Sequence, residues 1–375
     1  MRRRLAAVLG LLAALLALSV PAGVAAHDFG RGGSVYTMTN ATAGNAVLAY
    51  ARAADGSLSL SGTFPTGGLG TGAGLGSQGA VTLSADGQWL AAVDAGSNDI
   101  ALFSVGPDGS LRLTDRVASG GTDPISVTLH GPLLYLLDAG GNGNIAGFVR
   151  IFGHLVALPG SIRPLSPAAT ATTATSPEEI SFSSDGSVLV VTEKAAGLLV
   201  TYRVGFFGIA GPPTPYASAG AAPYGFAFDG RNRMFVTEAA GSALSSYSVS
   251  RAGVPSVISA SVANGESAAC WIALTPDGRF AFTIDAHNAT LTSAAISSYA
   301  IAPDGSLALI NGTAALVSAP HVPLLDAAVS SDGRFLYVVD VGANAIDTLS
   351  IGPGGSLTSV GATSQPAGAV GMAAS

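Results

Sequence analysis

From Ser34 onward the chain runs in short apolar stretches rich in β-branched and aromatic residues, each closed by turn residues. No stretch past the N-terminus combines helical periodicity with capping residues. One phrase recurs. "SSDGRFLYVVDVGANAI" (330–346) echoes "SADGQWLAAVDAGSNDI" (84–100), "SSDGSVLVVTEKAAGLL" (183–199) and "TPDGRFAFTIDAHNATL" (275–291). In each, an Asp-Gly or similar turn leads into an apolar run, and a second turn follows. Asp-Gly and Gly-Asn pairs tolerate the positive φ that tight hairpins need.

The Asp-Gly turns fall at Asp86, Asp185, Asp229, Asp277 and Asp332, with a degenerate member at His130-Gly131. The spacing gives a unit of about 40–50 residues, the span of a four-stranded propeller blade. Complete units begin near residues 78, 124, 177, 223, 269 and 324. Residues 34–64 supply three further strands without an inner one, and "QPAGAVGMAAS" (365–375) reads as an inner strand without a blade. Joined, they complete a seventh blade and close the ring, which removes exposed strand edges. The expectation is an all-β, seven-bladed propeller in a single domain over residues 27–375. "PLSPAATATTATSP" (164–177) and the Gly-rich "TGGLGTGAGLGSQG" (66–79) are expected to be inter-blade loops, the second a flexible one. The second lacks the following helix and the Lys of a phosphate-binding loop.

Composition narrows the setting. The chain has 375 residues, 48% hydrophobic and 10% charged, which suits a large buried core. Its start, "MRRRLAAVLGLLAALLALSVPAGVAA", reads as a secretory signal peptide, residues 1–26, cut after Ala26; a retained anchor is the alternative. The protein is then expected outside the cytoplasm: secreted, periplasmic or at the cell surface. No later stretch is long and apolar enough to span a bilayer. The net charge is −7, and Lys194 is the only lysine, so nucleic-acid binding is not expected. Cys270 is the only cysteine, which excludes an internal disulfide. The Ala/Gly-rich, Arg-over-Lys composition suggests a bacterial source, and a monomer is expected.

The repeated "SxDGRFLYVVDxGxNxI" pattern resembles the seven-bladed lactonase propellers, which include 6-phosphogluconolactonase and 3-carboxymuconate cyclase. "PYGFAFDGRNRMFVTEAAGSALSSYSV" (223–249) and "ESAACWIALTPDGRFAFTIDA" (266–286) resemble an exported bacterial branch. The resemblance implies hydrolysis of a lactone ester at the mouth of the central channel. It also implies Pro-His pairs at inner-strand starts. Here the prolines stand at Pro124, Pro177 and Pro223, followed by Ile125, Glu178 and Tyr224, never His. Gly79, Cys270 and Leu325 hold the same place elsewhere, and His321 lies too early. The family's histidine chemistry therefore does not carry over, and phosphorylated lactones suit an exported protein poorly.

Other residues offer chemistry. The second strands end at Asn40, Asp94, Asp138, Glu193, Glu238, Asp285 and Asp340. One reading is a ring around the channel mouth that holds a divalent cation or a cationic ligand. The plainer reading is a set of turn residues. Glu is a poor turn residue, so Glu193 and Glu238 are the strongest catalytic candidates. Glu179 joins them as a base, and Tyr224 or Arg203 as the group that stabilises charge. A Cys270/His287 thiol dyad is a minor alternative, since a lone Cys is more often a small buried hydrophobe. The ligand expected is a small lactone or carbohydrate-like molecule. The rival function is a non-catalytic binding propeller, because fold alone does not decide between them.

Overall fold

A computed structural model describes residues 32–167, 175–287, 293–317 and 324–375. The signal-peptide reading of residues 1–26 and His321 lie outside the described residues. These form the seven-bladed ring that the sequence predicts: seven antiparallel sheets in chain order, with no helix among the described residues. Blade 1 is built from Val370–Ala374, Ser34–Met38, Ala46–Arg52 and Leu58–Pro65. Val370–Ala374 is its inner strand. Ala374 pairs with Val35 and Val370 with Met38, so the end of the chain closes the ring.

The blades face one another through buried tyrosines. Tyr36 donates its hydroxyl to Gly109 O in blade 2, Tyr135 to Gly208 O in blade 4, and Tyr337 to Gly56 O in blade 1. All three are fully buried, so a satisfied hydroxyl is what makes their burial favourable.

Each Asp-Gly turn is held by its own Asp. Asp185 Oδ1 accepts from Ser187 N and Ser183 Oγ, and Asp332 Oδ1 accepts from Arg334 N and Ser330 Oγ. Inner strands run from a front face, where loops arrive from the preceding blade, to a back face, where these turns lie.

A β-bulge recurs at the start of the inner strands. Register shifts fall between Pro124 and Ser126, Pro177 and Glu179, Pro223 and Phe226, Ala269 and Trp271, and Leu324 and Ala327. A bulge re-aims the extra side chain. The residues so placed include Ile125, Glu178, Tyr224 and Cys270, the positions where the resembled family carries histidine. Just before them, Asp123, Ser176, Ala222 and Ala268 hold positive φ of 57°, 50°, 60° and 60°. A left-handed non-glycine residue repeated in four adjacent blades marks backbone held against its preference.

Candidate functional site

At the front face the four bulges bring side chains together. Glu178 is 2% exposed and lines a cavity of about 300 Å³. Lys194 Nζ lies 2.6 Å from its Oε1, and Ser176 Oγ donates to the same oxygen at 2.8 Å. Tyr224 also hydrogen-bonds Glu178. The Lys194 ammonium sits 4.9 Å from the centre of the Tyr224 ring, a cation–π contact. Tyr224 in turn packs edge-on against Trp271 at 5.2 Å. Leu75, Gly76, Asp123, Ile125, Asn142 and Thr175 complete much of the wall.

Burial pushes the Glu178 pKa up, and Lys194, Ser176 and Tyr224 oppose it. Desolvation outweighs the ion pair here, as it does for a carboxylate with little access to water. Tyr224 is held well above the ordinary phenol range by burial first and by Glu178 second, so it stays a donor. Cys270 is buried, and desolvation pushes its thiol up to about 12. Burial thus favours the neutral thiol over the thiolate that acts as a nucleophile. His287 closes the second strand of blade 6, and its side chain lies outside the described residues. Regular strand alternation would place Cys270 and Trp271 on opposite faces. The bulge interrupts it, and both pack in one cluster with Tyr224.

The carboxylates that end the second strands do not form a ring at the mouth. Asn40 and the six carboxylates are all buried to 1% exposure or less. Most reach back to the residue that leaves the outer strand of the preceding blade. Asp94 Oδ1 accepts from Thr66 Oγ1 and Asn45 Nδ2. Asp138 faces Ser119. Glu193 accepts from Ser166 N at 2.8 Å and Ser166 Oγ at 2.5 Å. Glu238 accepts from Ser218 Oγ and Gly220 N, and Asp285 accepts from Asn264 Nδ2. Each is a latch on an arriving loop. Asp340 is a turn residue, accepting from Gly342 N and Ala343 N. Glu193 and Glu238 make two of these latches, which accounts for glutamate at the end of those strands. Among the described residues, no group of three or more His, Cys, Asp or Glu side chains could hold a metal ion. Arg203 pairs with Val188 near the back face and does not join Tyr224.

Glu179 also stands apart from Glu193 and Glu238. Its Oε2 accepts from Phe226 N at 2.6 Å, deep in the central channel.

The Gly-rich loop is ordered rather than a flexible connection. It crosses the channel mouth and ends in Gln78. Gln78 Nε2 donates to Ile272 O and its Oε1 accepts from Ile272 N, while Gln78 N donates to Glu178 O. Through its backbone N–H and its side-chain amide, Gln78 thus ties blades 4 and 6 across the axis. Trp271 Nε1 donates to Ser77 O at 2.9 Å, and Ser77 Oγ to Ile125 O at 2.8 Å. Gly225 makes room for the plug: a Cβ there would lie 2.4 Å from Gln78 Oε1. Residues 75–79 therefore divide the front cavity from the channel behind it.

Sequence reasoning missed Lys194 as a site residue, although its being the sole lysine was a visible signal. It also missed Gln78 and Ser176.

The family model described as "Lactonase, 7-bladed beta-propeller" matches residues 27–144. Comparison with curated protein sequences gives no significant match. Several solved structures share the fold. The Pseudomonas aeruginosa periplasmic gluconolactonase is 16% identical, with a TM-score of 0.71, over 91% of this chain and 99% of that one. A Bacteroides fragilis protein assigned as a 6-phosphogluconolactonase is 15% identical, with a TM-score of 0.69, over 95% and 100%. A functionally unknown protein from Desulfotomaculum acetoxidans is 11% identical, with a TM-score of 0.69, over 92% and 98%. Residues 27–144 thus match the lactonase propeller family, and the described residues as a whole form a seven-bladed β-propeller.

Proposed function

We propose that the front cavity binds a small uncharged lactone and hydrolyses its ring ester. The observation that carries this reading is the buried Glu178 carboxylate with Lys194 Nζ at 2.6 Å, both lining a cavity of about 300 Å³. Glu178 is the general base. It takes a proton from water as the water oxygen bonds to the lactone carbonyl carbon. The Lys194 ammonium stabilises the oxyanion that forms. The ring C–O bond then breaks, and the proton returns from Glu178 to the leaving alkoxide, giving a hydroxy acid that ionises. Tyr224 positions both partners. The raised pKa of Glu178 makes it a better base than a solvated carboxylate.

The charge of the wall selects the substrate. Asp123 and Glu178 outnumber Lys194, and among the described residues no arginine or histidine lines this cavity. A phosphorylated lactone would bring more negative charge to a site already short of cations, so the unphosphorylated ring is favoured. Action outside the cytoplasm follows from the reading of residues 1–26 and agrees with the periplasmic neighbour. The test is acid release from an unphosphorylated 1,5-aldonolactone and from its phosphorylated form. Preference for the first, lost in Glu178→Gln, supports the reading. No turnover of either by a folded protein returns the non-catalytic binding propeller.

A further inference from the structure

The channel behind the Gln78 plug is a second cavity, of about 550 Å³, running to the back face. Gln78, Glu179 and Asp326 stand at its floor, and Phe182, Phe228 and His130 lie toward its opening. Among the described residues, no lysine or arginine lines it. Glu179 is 6% exposed and Asp326 is 3% exposed. The Phe226 amide is the hydrogen-bond donor to Glu179 Oε2, and among the described residues the other carboxyl oxygen has none. Gly79 and Gly371 amides face Asp326.

We propose that this blind channel binds a small primary amine, its ammonium group docked between Glu179 and Asp326. Two buried carboxyls without a cation are unfavourable as ions. An ammonium group brings the missing charge and three donors. Two carboxyls are too few ligands for a hard divalent cation. The aromatic rings toward the opening suit the apolar alkyl chain of such an amine. The site lies on the opposite face from the front cavity and does not rest on the lactone reading.

The titratable groups facing this channel are Glu179, Asp326 and His130. Desolvation holds Glu179 well above the carboxylate range and raises Asp326 to about 7, while it lowers His130. Without a bound cation the floor thus keeps a proton near neutrality. A docking ammonium displaces it, so binding releases a proton and tightens between about pH 6 and 8, well below the pKa of an alkylamine near 10.

The test uses n-butylamine, with n-butanol as the neutral counterpart. Calorimetry in buffers of different ionisation enthalpy counts protons, and methyl-labelled methionine spectra locate the ligand, because Met372 lines the channel. The expected result is amine binding with proton release, a shift of the Met372 methyl, and at least tenfold weaker binding in Asp326→Asn. Equal binding of n-butanol, an unmoved Met372 methyl or undiminished binding in Asp326→Asn overturns the proposal. If Asp326→Asn does not fold, Glu179→Gln and the pH dependence of the parent protein decide by the same criteria.

Discussion

Lys194 Nζ lies 2.6 Å from Glu178 Oε1, so the chain's single lysine is paired with a buried carboxylate that lines the front cavity. Lysine holds the Glu178 pKa down against burial. In Lys194→Met that restraint is gone, and Glu178 must lose its proton at a higher pH before it acts as a base. The acid limb of the kcat/KM profile should move upward in pH. The rate at the optimum should also fall by about 10²-fold or more with the oxyanion's partner removed. A profile unmoved by the substitution would separate Lys194 from the base.

Glu193 and Glu238 are expected to act on stability rather than on turnover. Glu193→Ala leaves Ser166 N and Oγ without their acceptor in a buried setting, at a cost of about 1–3 kcal/mol. Glu238→Ala does the same to Ser218 and Gly220. Thermal melting should fall in both while kcat of the folded fraction stays within about twofold of the parent, since neither touches the reacting atoms in this account. A loss of turnover at unchanged melting temperature would put these glutamates back in the chemistry.

Closure by the last strand is testable by truncation. Removing residues 370–375 deletes the inner strand of blade 1, with its pairing to Val35, Tyr36 and Met38. It also removes the Ser375 N bond to Ser34 O. The account predicts loss of cooperative unfolding and faster amide exchange in Ser34–Met38, followed by hydrogen exchange. Parent-like protection there would mean that the ring does not depend on this strand.

The pH dependence of stability has a defined sign. Burial raises Asp138 to about 6, Asp326 to about 7 and Asp285 to about 8. Each binds its proton more tightly folded than unfolded, where the pKa is about 3.9. Their contribution is full below about pH 4 and is lost as pH rises through the folded values. Asp185, Asp277 and Asp332 are shifted down by hydrogen bonds in their turns, so their contribution is lost only in acid below that range. Melting temperature should therefore be higher at pH 5.5 than at pH 8.5, and Asp285→Asn should flatten the difference. A flat or rising profile would contradict the assignment.

Blade number and closure were legible because hairpin turns and strand patterns are local. Asp332-Gly333 announces its hairpin without help from the rest of the chain. The positions after Pro124, Pro177 and Pro223 were legible for the same reason. What the bulges do with them was not, because a register shift depends on the partner strand. Cys270 and Trp271 show this: alternation separated them, and the bulge brings both to Tyr224. The partners of the strand-end carboxylates were hidden too. Ser166 and Ser218 belong to preceding blades, and nothing local links Ser166 to Glu193. Asp326 was missed because the sequence placed Leu325 at the site, and the blade 7 bulge spans both residues.

The most direct test of the central claim is steady-state acid release from an unphosphorylated 1,5-aldonolactone, above the spontaneous rate, by the parent protein and by Glu178→Gln. The account predicts enzymatic turnover in the parent and a fall of about 10²–10⁴-fold in the variant, with its melting curve preserved. Turnover that survives in Glu178→Gln would contradict Glu178 as the base and move the chemistry away from the front cavity.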